Sequence, residues 1–516
     1  MRINRRRDRL PGTIITLILF QAVLAFTVLL LYTNLIPMKY IGIIFLGLLI
    51  LVLLIHLLVL KFRKKVRFWI GVVLSVILLL ILGGVSFYIH KTVSSLDTIT
   101  GVNKDTVEVG VYVMQDDPAQ TMHDAAGYSF GILSELDRVN TDAALEQIYF
   151  ETGSEISPTE YNSLTELADG ITSGDCQAVI MNSGYLAVLD QMDGYSSFSS
   201  QIRNIASYRI ESVVERKEPE TTVAPENDAV ASDEDTSDDA VTDEVYTIYI
   251  SGIDTRGGMT ASSLSDVNIL LTVNTRTRQV LMISTPRDYY VPLSISNGVP
   301  DKLTHAGIYG VNVCMDTLEM LYGIDINYYF RLNFGGFIQI IDALGGITIY
   351  SDYEFDSGNV AGYHFNKGEN VVDGEAALAF CRERYAFAEG DRQRGRNQMA
   401  VIQGVLDKIT SPDLLKNYLS VMDSLEGCFE TNVPYDTISD LVRRQLDEGG
   451  KWEVLSYSVD GTGDNQKPYS MSQTAYVMVP DMTTVDKAKS LMQKVREGIM
   501  LSEADVSRQQ SEDSAD

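Results

Sequence analysis

The chain opens on three apolar runs, about Thr13–Thr33, Tyr40–Leu60 and Phe68–Ile89, that contain no acidic or basic residue except His56. At about 1.5 Å per residue each run reaches roughly 30 Å, enough to cross the hydrocarbon core of a bilayer. Three such runs joined by short linkers argue against a signal peptide or a set of buried core helices. His56, alone in the second run, is expected either to be simply tolerated there or to contact a neighbouring helix. The pattern then changes. "TVEVGVYVM" and "CQAVIMN" read as strands, and "ELDRVNTDAALEQI" and "YNSLTELADGITSG" read as helices. Strands and helices mix again from "VYTIYISGID" onward. The fold class is α/β. Residues 1–91 form a membrane anchor, 97–214 a small α/β domain, 215–244 a linker, 245–498 a larger mixed-sheet α/β domain, and 499–516 a polar tail.

Charge sets the orientation and the compartment. The 516 residues carry a net −28, but residues 1–91 hold twelve Lys and Arg against one acid, Asp8, which leaves −39 on the remainder. "RINRRRDR" precedes the first run and "KFRKKVR" separates the second from the third; both belong on the cytoplasmic side. The N-terminus is therefore inside, and everything after about Lys91 lies outside a plasma membrane crossed three times. So acidic an external part repels nucleic acid, which excludes a transcription factor. Glu218–Glu244 carries eleven acids, no Lys or Arg and almost no large apolar residue, so it is expected to be a disordered linker. Cys176, Cys314, Cys381 and Cys428 have no metal-ligand spacing, and the sequence alone does not pair them.

Against this background one stretch stands out. "AFCRERYAFAEGDRQRGRNQ", Ala379–Gln398, gathers five arginines. A short helix capped by Asp373 is expected to end near Arg382, after which extended backbone puts Arg382 and Arg384 on one side. Two guanidinium forks on one side suit a phosphate or pyrophosphate. The next helix is expected to start near Asp391, with Arg394 and Gln398 on one face and Val401, Ile402, Val405 and Ile409 as its apolar stripe. Arg392 and Arg396 are expected elsewhere on the helix, as solvated charges. Upstream, Val267–Val273 and Gln279–Thr285 are expected to form an antiparallel hairpin about "NTRTR". Asp266 then falls opposite Pro286, with Arg287 and Asp288 at the same sheet end, where Asp254 can also arrive. Two carboxylates beside an arginine suit either a divalent metal holding a phosphate or a plain surface ion pair.

"SDVNILLTVN", "ISTPRD", "DKLTHAGIYG", "YYFRLNFGGF", "DALGGI", "GENVVDGEAALAFCRERY" and "GDRQRGRNQ" occur in this order over Val245–Ile409. Together they resemble the LytR–CpsA–Psr family of cell-envelope phosphotransferases. The three apolar runs and the small preceding domain resemble its capsule-type branch, in which that domain is an accessory domain. The resemblance implies transfer of a glycan phosphate, from capsular polysaccharide or a teichoic acid-like polymer, from a polyprenyl-pyrophosphate carrier to peptidoglycan. It implies Mg²⁺ (or Mn²⁺) on Asp254 and Asp266, with Arg287, Arg382, Arg384 and Gln398 clamping the pyrophosphate and Lys302 or Arg394 assisting. Asp391 would organise Arg394 or act as a base, and Asp288 would support Arg287. The lipid tail would enter an apolar pocket drawn from "YYFRLNFGGFIQIIDALGG". Capsule-assembly proteins are further expected partners. Leu264 departs from the family's usual arginine, removing one phosphate contact that Arg256 or another arginine would have to supply. A hydrolase releasing the glycan to water, or a non-catalytic lipid-binding partner in capsule assembly, are the alternatives.

Overall fold

The computed structural model describes residues 10–59, 65–99, 104–217, 220–221, 244–253, 263–388, 390–411 and 428–507. Asp254, Arg256 and most of the acidic linker lie outside these. The described chain separates into two compact units.

The first unit contains helices α1 (Leu10–Thr33), α2 (Met38–Val59) and α3 (Lys65–Ile99). All three are long and apolar enough to cross a membrane. Leu19, Val23, Ile55 and Val59 are buried between them, while much of the remaining apolar surface faces outward, as lipid-facing helices require. His56 does contact a neighbour: its Nδ1 lies 2.8 Å from Thr16 Oγ1 on α1. A helix at Tyr435–Glu448 also groups with this unit, its Tyr435 hydroxyl donating to the Thr33 carbonyl at 2.7 Å.

Among the described residues the second unit holds two large sheets and four two-stranded ones. Strands β1 (Lys104–Met114), β2 (Phe130–Leu133), β3 (Thr159–Tyr161), β4 (Ala178–Asn182) and β5 (Ile202–Val213) form a mixed sheet in the order β3-β2-β4-β1-β5, with helices α4 (Arg138–Thr152) and α5 (Leu164–Ser173) between strands. The larger sheet is built from β6 (Glu244–Ile253), β7 (Ser265–Asn274), β8 (Gln279–Ser284), β11 (Tyr328–Asn333), β14 (Phe429–Thr431) and β15 (Glu453–Ser458), in the order β14-β11-β6-β7-β8-β15. Hairpin strands β9 (Tyr290–Pro292) and β10 (Pro300–Lys302), and β12 (Ile347–Ser351) and β13 (Gly368–Val372), stand beside it. The helices are α6 (Val311–Tyr322), α7 (Phe334–Ala343), α8 (Gly374–Arg382), α9 (Asp391–Ile409) and α10 (Met482–Arg496). One apolar core runs through both sheets' modules, from Tyr112, Leu167 and Tyr185 to Leu281, Ile308 and Val485. A second core gathers Ile341, Ile349, Phe355, Phe380 and Val401 under α7, α8 and α9.

The hairpin β7–β8 forms as expected, but its register differs by one. Ile269 pairs with Ser284 and Asn274 with Gln279, which puts Asp266 level with Arg287 rather than Pro286. The cause is the turn. It has four residues, Arg278 adopts a positive φ of 53°, and the Asn274 side chain accepts the Arg276 and Thr277 N–H groups. In α9, Val401 is buried and Val405 packs on the second core, but Ile409 is 41% exposed and lies outside the stripe. All four cysteines are buried, and no disulfide joins them.

Candidate functional site: a buried acid–arginine cleft

β6 and β7 pair regularly until Gly252 faces Val267. Ile253 then faces Ser265, so Asp266 is the extra residue of a β-bulge. Bulges re-aim a side chain at the end of a strand. Here Asp266 is turned onto Arg287, whose Nη1 donates to its Oδ1 at 2.9 Å, and onto Thr304, whose hydroxyl donates to the same oxygen at 3.3 Å. Arg287 also lies 3.6 Å from Asp288, and Asp288 lies 3.4 Å from the buried Lys302 ammonium. Burial opposes the charge on Arg287. The attraction of Asp266 and Asp288 outweighs it and holds the proton more firmly than usual.

Helix α9 supplies the other wall. It packs on β7, β8 and β15, and approaches closely because of Gly395, where a Cβ would sit 2.6 Å from Ser284 Oγ. Asp391, Arg394 and Gln398 thereby line one narrow cleft with Asp266 and Arg287. Arg394 pairs with Asp391. Arg392, expected in solvent, lines the cleft too, and its guanidinium holds Asp460 at 2.5 Å and the Gly461 carbonyl at 2.6 Å. Arg396 donates to Gln393 Oε1 at 2.8 Å. Burial raises the Asp391 carboxyl above the ordinary range; Arg394 and Arg287 oppose this, while Asp288 and Asp266 repel its charge.

Arg382 and Arg384 are not among the residues lining this cleft. Arg382 lies over the Phe334 ring at 4.6 Å, and Arg384 over Tyr385 at 4.8 Å, donating to its hydroxyl at 2.7 Å. Between them sits a residue the sequence reading passed over. Glu383 is fully buried. One carboxylate oxygen accepts the backbone N–H groups of Arg384, Tyr385 and Ala386. The other accepts Ser357 Oγ and the N–H groups of Gly358 and Asn359. Burial alone would raise this carboxyl; the six donors hold it below the usual range. Its contribution to stability is therefore present above the ordinary carboxylate pKa and is lost as pH falls through the lowered one. Glu383→Gln turns an amide into a shell of N–H groups and is expected to cost about 1–3 kcal/mol. Thermal melts at neutral pH check this, and an unchanged melting temperature contradicts it.

The donor set suits a hard cation. Asp266 and Asp288 both act on Asp391 here, and Asp391 Oδ1 is taken up by the Arg394 guanidinium. Among the described residues no group of three or more His, Cys, Asp or Glu is placed to hold a metal ion. Mg²⁺ takes hard oxygen ligands and keeps water and substrate phosphate in its shell, so it needs fewer protein ligands than such a group. Leu264 is buried in the main core and offers no charge to the cleft.

Fold and site thus define an α/β protein with a membrane anchor and a cleft in which carboxylates and guanidinium groups meet. A profile of the LytR_cpsA_psr family matches residues 209–494, more than half the chain, and the protein belongs to that family. The polyisoprenyl-teichoic acid–peptidoglycan teichoic acid transferase TagU of Enterococcus faecalis is 32% identical over 222 residues, 43% of this chain and 71% of that protein. TagU of Bacillus subtilis is 31% identical over 220 residues, 42% and 69% of the two chains. A solved structure of TagT bound to LIIa-WTA is 25% identical, covering 50% of this chain and 92% of that one with a TM-score of 0.40.

Proposed function

We propose that this protein transfers a glycan phosphate from a membrane-borne polyprenyl-pyrophosphate carrier to peptidoglycan outside the plasma membrane. The observation that carries the reading is the meeting of half-buried Asp266, Arg287 and Asp391 with buried Arg394 and Gln398 in one cleft. It is a site for concentrated oxygen charge, in a chain with three helices able to span a membrane. The relatives named above, teichoic acid transferases, support the class of substrate.

Arg287, Arg394 and Gln398 bind and orient the pyrophosphate, with Lys302, beside Asp288, as a further cationic contact. The phosphate contact missing at Leu264 is assigned to Arg392, which already lines the cleft. Asp266, with Asp254, would hold Mg²⁺, which when bound neutralises phosphate charge. An acceptor sugar hydroxyl attacks the glycan-side phosphorus. The bond from that phosphorus to the bridging oxygen breaks, and polyprenyl phosphate leaves. Asp391, whose raised pKa suits proton uptake, receives the hydroxyl proton. The arginines meet the charge that builds on the oxygens, which is where positioned donors accelerate phosphoryl transfer. The apolar segment Tyr328–Ala343, β11 and α7, is the proposed seat of the lipid tail.

The test uses full-length protein in detergent with a polyprenyl-pyrophosphate-linked glycan and peptidoglycan oligomers, with Mg²⁺ or with chelator. Glycan attached to peptidoglycan only when Mg²⁺ is present is the expected result. Glycan phosphate released to water without transfer would indicate a hydrolase. Lipid binding without turnover would make the protein an assembly partner.

A further inference from the structure

The module at 104–217 has no part in the chemistry above, yet it touches the segment that supports Asp266. Residues Leu303–Tyr309 form a 3₁₀ helix of seven residues, all of them buried. Such helices have poor internal hydrogen bonds and rarely run beyond three or four residues, so their surroundings must hold this one.

At its start it is tied to the cleft. The Thr304 N–H donates to the Arg287 carbonyl at 2.8 Å, and the Thr304 hydroxyl donates to Asp266. In its middle, Gly307 presses on the strand that carries Asp266: a Cβ there would lie 2.7 Å from the Ser265 amide nitrogen. At its end it is held by the other module. Asn182 Nδ2, at the end of β4, donates to the Ile308 carbonyl at 3.0 Å. The Tyr185 hydroxyl donates to the Tyr309 hydroxyl at 3.2 Å. Asp105, on β1 and 3% exposed, accepts the Val311 and Asn312 N–H groups at 3.0 and 2.9 Å. It thereby caps α6 from outside, where the free N–H groups of a helix start favour a carboxylate.

We propose that the 104–217 module is a positioning element for the transfer site. It clamps the far end of the Leu303–Tyr309 helix and so keeps Thr304 and Arg287 in register with Asp266. Asp105, Asn182 and Tyr185 act as positioning residues through that helix; none of them touches substrate. The inference rests on the proposed phosphotransfer for its kinetic readout but not for its structural one.

The experiment uses full-length protein and the variants Asp105→Asn and Tyr185→Phe, each also made with Thr304→Val. Asp105→Asn is expected to lower kcat about tenfold with KM for the lipid-linked glycan little changed. Tyr185→Phe, which removes one oxygen and is the variant least able to unfold the chain, is expected to cost about threefold. With Thr304→Val present, each added cost is expected to shrink to less than twofold, because contacting residues couple whereas independent ones add. Hydrogen exchange is read in parallel, and residues 303–310 are expected to lose protection in both variants. Unchanged kcat, or the same fold-loss with and without Thr304→Val, overturns the proposal, as does unaltered exchange at 303–310. Exchange needs no turnover. If the wild-type protein transfers nothing, the proposed reaction fails by itself, and the exchange result still decides the clamp.

Discussion

Arg287→Ala is expected to lower kcat by about 10²–10³-fold, the usual cost of removing one fixed donor from a charge-stabilising site. Arg287 is the one cation in the cleft held by two carboxylates, Asp266 and Asp288, while its side chain stays 21% exposed toward the cleft. Its Nε is buried without a hydrogen-bond partner. The residue is thus oriented on one side and has donor capacity left for a phosphate oxygen. Truncation also leaves Asp266, among the described residues, with the Thr304 hydroxyl as its remaining side-chain donor, so some loss of stability is expected as well. Arg287→Lys separates the two effects. It keeps the positive charge near Asp266 but replaces a planar fork by a point charge. Stability should largely return and kcat should not. Recovery of both in Arg287→Lys would mean that charge alone suffices, and that the planar fork of Arg287 is not needed.

The parts of this molecule that rest on local pattern were legible in its sequence. Uninterrupted apolar length marked α1, α2 and α3, and two short apolar runs about a turn marked β7 and β8. The Asp373 cap was readable because its side chain accepts the Ala376 N–H three residues on, a contact within one turn. What escaped depended on partners distant in sequence. The bulge that turns Asp266 into the cleft is created by β6, and no residue in "SLSD" announces it. Arg392 resembled any helix-surface arginine until Asp460, 68 positions later, closed on it. Glu383 was visible only as the middle letter of an Arg-Glu-Arg triplet; its donors at 357–359 come from another loop. Nothing local to Asp105 tells that α6 will start against it, nor anything local to Asn182 and Tyr185 that Ile308 and Tyr309 will end there. The role expected of Asp254 falls on a residue outside those described.

Asp391→Asn is expected to abolish most transfer, by about 10²-fold or more, while leaving the melting temperature at neutral pH unchanged or higher. The two halves have one cause. Asp391 is desolvated at the start of α9 and repelled by Asp288 and Asp266, and Arg394 and Arg287 only partly offset this, so its pKa in the fold lies above the ordinary value. A carboxyl raised in this way favours the folded state below its unfolded pKa, and that contribution disappears as pH rises through the folded pKa. At neutral pH the ionised side chain is therefore a net cost to the fold. An uncharged isostere removes that cost, and with it the group proposed to take the acceptor's proton. The wild-type protein should accordingly lose stability relative to Asp391→Asn as pH rises from below the ordinary carboxylate pKa through the raised one. Paired melting curves across that range measure the difference directly. If Asp391→Asn melts well below wild type at neutral pH, the ion pair with Arg394 outweighs the desolvation, and Asp391 is chiefly the anchor of that arginine. If it melts no lower but transfers as fast as wild type, the proton has another acceptor. Only stability kept and turnover lost fits a carboxylate placed against its own comfort to serve the reaction.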